Sequence, residues 1–129
     1  MKNTVLIFGA IYGLTSVILG AFGAHALKGI LTQYDKLTSF ETGVRYQMYH
    51  ALALLIIGFS LSFSTGLEKG AGWGIIIGTF LFSVSIYFLS FAQYWNVNLR
   101  FLGPVTPIGG TFMIIGWGCL LLYFIKYRQ

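Results

Sequence analysis

Four long apolar runs divide the chain, and polar residues collect between them. The runs cover about Val5–Leu27, Arg45–Ser64, Ala71–Tyr94 and Pro107–Tyr127, joined by residues 28–44, 65–70 and 95–106. Crossing the hydrocarbon core of a bilayer takes ~20 residues at a helical rise of ~1.5 Å. Each run is that long, and none alternates apolar with polar positions as a barrel strand does, so each predicts a transmembrane α-helix. The expected fold is all-α, an integral membrane four-helix bundle with short loops, with residues 1–129 forming a single transmembrane domain. The first run follows Lys2 and holds a small-X-small site, Ala24-His25-Ala26. It is longer than the apolar part of a signal peptide and is punctuated by glycine, so it reads as a retained helix.

Small residues recur on one side of three of these helices. Gly9, Gly13, Ser16, Gly20, Gly23 and Ala24 fall within one arc of the first. Gly70, Gly74, Gly78 and Ser85 repeat the device in the third, and Gly109, Gly116 and Cys119 in the fourth. Such seams let backbones approach closely. They predict tight helix packing, and they are also the surface on which a second copy or another membrane protein would dock. No Gly-x-Gly-x-x-Gly follows a strand, so no nucleotide fingerprint is present. At the helix starts, Thr38 and Glu41 stand at capping-box spacing ahead of the second run. Thr106 and Pro107 fit the N-cap and first position of the fourth helix. Thr65–Gly70 reads as a plain short turn.

Composition narrows the setting. With 57% hydrophobic and 9% charged residues, the chain has too few polar side chains to cover a water-facing surface. The net charge of +5 is scattered singly between apolar runs, the pattern of topology signals, so nucleic acid is not an expected partner. Lys2, Lys69, Lys126 and Arg128 share one side, and Lys28, Lys36, Arg45 and Arg100 the other. Discounting Arg45 as partly inside its span places both termini in the cytoplasm. The expected location is the bacterial cytoplasmic membrane, in contact with membrane lipids. Cys119 is the lone cysteine, which rules out an intrachain disulfide.

An even number of crossings puts the first and third connections on one face, and most of the polar side chains follow them there. His25 ends the first helix; Arg45, Gln47 and His50 open the second; Gln93 ends the third; Thr106 opens the fourth. The purely apolar stretch Ala51–Phe63 is too short to cross, so the second span takes in Tyr46–His50 and carries His50 about 7 Å inside its start. Glu41 and Arg45 are i,i+4 neighbours on one helix face, whereas Gly43, Tyr46, Gln47 and His50 share the opposite one. The candidate ligand-binding set is therefore His25, Arg45, Gln47, His50 and Thr106, with Gln93 beside it. A competing reading makes Gln47 and His50 interhelical hydrogen-bond partners with no ligand.

Two histidines on adjacent helices suit haem in ligand type, and His25, His50 and Glu41 suit a metal, but no haem or metal spacing accompanies them. No cofactor or metal is expected, and no nucleophile–base motif marks an enzyme. Two functions stay open. One is a structural, partner-binding or assembly role in the membrane. The other is binding or transport of a small molecule, lipid or ion through the polar cluster, with His50 as a proton-titrating group.

Three blocks carry a resemblance. They are Gly20-Ala21-Phe22-Gly23-Ala24-His25-Ala26-Leu27, Tyr46-Gln47-Met48-Tyr49-His50-Ala51-Leu52-Ala53-Leu54-Leu55, and Gly103-Pro104-Val105-Thr106-Pro107-Ile108-Gly109-Gly110 with Gly116-Trp117. In this order, over essentially the whole chain, the sequence resembles the YgdD/YwdK-like family of small four-helix membrane proteins of unknown function. Val84 and Ile86 are bulkier than that family's Ser/Gly-rich third segment. The resemblance implies a membrane fold and brings no activity with it.

Overall fold

The computed structural model describes residues 1–127. Arg128, which enters the charge balance above, lies outside the described residues. The described chain is all-α: α1 (Lys2–Ala24), α2 (Lys28–Gln33), α3 (Leu37–Ser60), α4 (Gly66–Ala92), a 3-10 turn (Arg100–Leu102) and α5 (Val105–Tyr127). Among the described residues three stretches are long and apolar enough to cross a membrane: α1, α4, and the 3-10 turn with α5. Helix α3 is as long, with 24 residues, but Arg45, Gln47 and His50 lower its hydropathy.

The helices form an open row and not a closed bundle. Extensive packing joins α1 to α3, α3 to α4 and α4 to α5; α1 meets α4 only slightly, and no comparable contact joins α5 to α1. The glycines decide this order. On α1, Gly9 and Gly13 face Ala51 and Leu55, Gly20 faces Val44, and Gly23 lies under Phe40, all of α3. On α4, Gly70, Gly74 and Gly78 face Cys119, Gly116 and Met113 of α5, and Gly109 of α5 lies against the backbone of α4 at Phe82. Each outer helix thus docks on one inner helix. The seams that could have received a partner are filled within the chain.

Helix ends depart from the sequence expectations in an informative way. The connection 28–44 holds α2, which packs Leu31 into the interior. Helix α3 starts at Leu37 after Lys36 with no side-chain cap, so the Thr38–Glu41 box is not formed. Thr42 returns its hydroxyl to the Thr38 carbonyl instead. Helix α5 starts at Val105, one residue before the expected cap, and the Pro104 carbonyl accepts the first turn's bond from Ile108. Pro107 sits in that first turn, where a missing N–H leaves no acceptor unmatched.

The capping box forms where only a plain turn was expected. Thr65 Oγ1 accepts from the Glu68 N–H at 3.2 Å, and Glu68 Oε2 accepts from the Thr65 N–H at 2.8 Å. The same carboxylate, 1% exposed, also accepts from the N–H groups of Ser62 (3.2 Å), Phe63 (3.2 Å) and Ser64 (3.0 Å). Phe63 is left-handed at φ 58°, a rare backbone for an aromatic, and its ring is buried. Beside it, Lys2 Nζ donates to the Phe59 and Leu61 carbonyls at 3.2 Å each, where α3 ends.

Two stability outcomes follow from this packing. Glu68→Ala removes the acceptor of four backbone N–H groups, of which that of Phe63 is buried, and unfolding in detergent should show a loss of roughly 1–3 kcal/mol. An unchanged melting temperature would show that the turn does not depend on the carboxylate. At Gly74, an added Cβ would lie 2.8 Å from Gly116 Cα and 2.9 Å from its N, backbone atoms that cannot swing aside. Gly74→Ala should cost roughly 1–3 kcal/mol, while Gly118→Ala, with nothing within 4 Å, should be neutral in the same assay.

Candidate functional site

The five predicted residues do not converge on one site. His25 ends α1 with its side chain exposed. Arg45 is exposed on the outer face of α3, 3.9 Å from Glu41, and also donates to Thr42 Oγ1 at 3.3 Å. Such an exposed pair contributes little. Gln93 is exposed at the end of α4. The remaining three are engaged between helices.

Gln47, 5% exposed, lies between α1 and α4. Its Nε2 donates to the Tyr12 carbonyl (3.0 Å) and to Thr15 Oγ1 (2.6 Å), and its Oε1 accepts from the Tyr87 hydroxyl. Around it, Tyr12 donates to the Ile76 carbonyl at 2.7 Å, and Ser83 to the Gly43 carbonyl at 2.8 Å. These bonds tie α1, α3 and α4 into a single core. Both N–H groups of the Gln47 amide and one acceptor position of its oxygen are used in these contacts.

His50, 6% exposed, faces the other way, toward α5. Its Nδ1 lies 2.7 Å from the Tyr46 carbonyl, and its Nε2 lies 3.0 Å from Trp117 Nε1. A carbonyl only accepts and an indole N–H only donates, so the neutral Nδ1–H tautomer satisfies both contacts. Protonating Nε2 would set two N–H groups against each other. The Tyr46 ring stacks on the imidazole, and the Trp117 ring meets it edge-on.

Thr106 reaches α4, where its hydroxyl is 2.6 Å from Ser85 Oγ, and Ser85 in turn donates to the Phe82 carbonyl at 2.9 Å. Of the five, only His50 and Thr106 line the furrow that the open row leaves between α3 and α5, floored by α4, and Gln93 joins them at its loop end. Three hollows lie in line along it. At the loop end, ≈250 Å³ is bounded by Lys36, Gln93, Asn98 and Arg100 over Leu89 and Val97. Next, ≈250 Å³ is bounded by Lys36, Ser39, Ser90 and Thr106 over Ile86 and Leu89. One helical turn further, ≈410 Å³ is bounded by Thr42, Tyr46, Phe82, Gly110 and Met113, with His50 and Trp117 at its inner end.

The furrow is graded: cationic and amide-lined at the loops, hydroxyl-lined next, then apolar and aromatic. From Lys36 to His50 along α3 it runs about 21 Å. The α3 wall was written in the sequence as Lys36, Ser39, Thr42, Tyr46 and His50, spaced three or four residues apart on one helical stripe. Within residues 41–50 only Thr42, Tyr46 and His50 belong to that stripe; Glu41 and Arg45 lie on the outer face and Gln47 toward α1 and α4. Among the described residues no group of three or more His, Cys, Asp or Glu side chains gathers as a metal site would require.

Comparison with known proteins agrees with a membrane setting. The family described as "Protein of unknown function (DUF423)" matches residues 19–110. The UPF0382 membrane protein SERP0230 of Staphylococcus epidermidis is 44% identical, covering 95% of each chain. The UPF0382 membrane protein SH2409 of Staphylococcus haemolyticus is likewise 44% identical, with the same coverage. The UPF0382 membrane protein YwdK of Bacillus subtilis is 42% identical over 95% of this chain and 96% of its own. No solved structure matches the chain. With three apolar helices long enough to cross and relatives of this identity along nearly its whole length, the chain belongs to the UPF0382 family of multi-pass membrane proteins of unknown function.

Proposed function

We propose that this membrane protein holds a membrane amphiphile in the furrow between α3 and α5. The observation that carries the reading is the gradation of that furrow, polar at the loops and apolar toward His50 and Trp117, which matches a lipid lying along the bilayer normal. The reading includes α3 as a fourth crossing. Its 24 residues reach roughly 36 Å, its buried polar side chains have partners inside the chain, and its outer face exposes Leu52, Ile56 and Phe59. That is the surface lipid chains favour.

A docking role through glycine seams has less support, because those seams are packed against neighbouring helices of the same chain. A proton pathway through His50 also has less support, since both ring nitrogens are engaged and Tyr46 and Trp117 enclose the ring. In proteoliposomes the wild-type protein should carry no proton flux above that of empty vesicles. A flux abolished by His50→Ala with the fold intact would overturn the binding reading in favour of transport.

The binding reading is tested at Gly110. A Cβ there meets only Phe82 Cδ2 at 3.9 Å, so a larger side chain can enter the furrow without parting α4 from α5. A phospholipid bearing a photoactivatable group on its acyl chain should label the furrow, at Tyr46, Met113 or Ile114, above the outward-facing Leu14 and Leu121. Gly110→Leu should reduce furrow labelling about tenfold and leave the melting temperature within a few degrees. Labelling spread evenly over all lipid-facing positions would sink the proposal.

A further inference from the structure

The loop end of the furrow brings together two cations from separate elements. Lys36 precedes α3, and Arg100 begins the 3-10 turn before α5; both line the same ≈250 Å³ hollow. Among the described residues the one ion pair is Arg45–Glu41, so neither cation is neutralised by a carboxylate, including the neighbouring Asp35. Like charges brought together without a counter-charge repel, and a bound anion relieves that repulsion. Two amides, Gln93 and Asn98, share the wall. Asn98 also fixes the loop, because its Oδ1 accepts from the Arg100 N–H at 3.1 Å.

The level of the hollow identifies the source of the anion. It lies where α4 ends, and the chain that leaves Gln93 runs through aromatic residues of the kind that sit at the headgroup region: Tyr94 stands edge-on to Tyr34, and Trp95 stacks on Phe91. Its floor is apolar, Leu89 and Val97, and it shares Lys36 and Leu89 with the next hollow down the furrow. A soluble anion would use the cations and leave that floor wet. An anionic phospholipid fits both parts, with its phosphate between Lys36 and Arg100 and its chain running toward Tyr46. A choline headgroup would add a cation beside two others. Arg supplies several fixed donors to a phosphate and Lys a mobile point charge.

We infer that Lys36 and Arg100 form a phosphate site that makes the furrow selective for anionic over zwitterionic phospholipid. The inference rests on the amphiphile-binding reading above and adds the headgroup class. Its test uses the full chain in nanodiscs, with photoactivatable phosphatidylglycerol and phosphatidylcholine carrying the same acyl-chain label. Phosphatidylglycerol should label the furrow on the order of tenfold more than phosphatidylcholine, as two basic groups near the surface imply. The double variant K36Q/R100Q should bring the ratio close to one while furrow labelling persists. K28Q, at a cation outside the furrow, should leave the ratio unchanged.

The outcomes separate. Furrow labelling with no headgroup preference in the wild type overturns the phosphate site and leaves the furrow reading standing; absence of furrow labelling by either lipid overturns both. An equal loss of preference in K28Q overturns the site in favour of diffuse charge. Displacement of the phosphatidylglycerol preference by millimolar inorganic phosphate, at constant ionic strength, overturns the lipid source in favour of a soluble anion. Lys36 and Arg100 are not fully buried, and matching melting temperatures for the variants would exclude misfolding as the cause.

Discussion

The amide of Gln47 is the constraint on which the rest of the structure turns. Lipid offers no hydrogen bonds, so a primary amide inside a membrane-crossing helix must find its partners within the protein. Gln47 finds them on both neighbours, two on α1 and one on α4. That requirement fixes the rotation of α3 about its axis. Once Gln47 faces α1 and α4, His50, three residues on, is turned toward α5, and Glu41 and Arg45 are turned outward. The polar residues that crowd this segment in sequence are dispersed in space by the helix that carries them.

Helix α4 imposes the second constraint. Its glycine stripe, Gly70-Gly74-Gly78, admits α5 to backbone contact on one side, while Ser83, Ile86 and Tyr87 meet α3 around Gly43 on another. A helix held that close to α4 cannot also close on α3. The gap is bridged by the largest side chain available: the Trp117 indole reaches His50 at 3.0 Å. Had α5 packed on α3 as closely as on α4, no room would remain for that ring. The furrow is therefore a consequence of how unevenly the glycines are distributed, dense on the α4–α5 contact and lacking on the facing stripe of α3 from Lys36 to His50.

What the sequence revealed and what it concealed have physical reasons. Spans, seams and interhelical polar bonds depend on hydropathy and helical period, both local, and the glycine arcs on α1, α4 and α5 could be read directly. The partner of each seam could not, because an arc of glycines does not specify what approaches it. The candidate site failed on a similar point. Even topology gathers His25, Arg45, Gln47, His50 and Thr106 at one end of the molecule, but gathering at an end is not facing a common space, and only His50 and Thr106 do so. The capping box is the clearest case of a legible signal read at the wrong place. Thr-x-x-Glu occurs at both Thr38–Glu41 and Thr65–Glu68. Only the second follows a chain reversal with three further N–H groups to satisfy, and that is where the box forms.

The two ends of the molecule are therefore built differently. At the α3–α4 turn a buried carboxylate gathers four backbone N–H groups, and Lys2 holds the last carbonyls of α3. Four backbone N–H groups are answered there within the chain, including that of the left-handed Phe63. At the other end, α3 begins without a side-chain cap, and Lys36 and Arg100 have no carboxylate partner among the described residues. At that end two cations from separate elements stand beside an apolar furrow, and this is the asymmetry on which the proposed phosphate site draws. The chain has only three carboxylates. Glu68 is committed to the turn, Glu41 faces outward with Arg45, and Asp35, left-handed at φ 57°, pairs with neither cation. On the proposed reading the counter-charge is supplied from the surroundings, and in a membrane an abundant anion at that depth is a lipid phosphate.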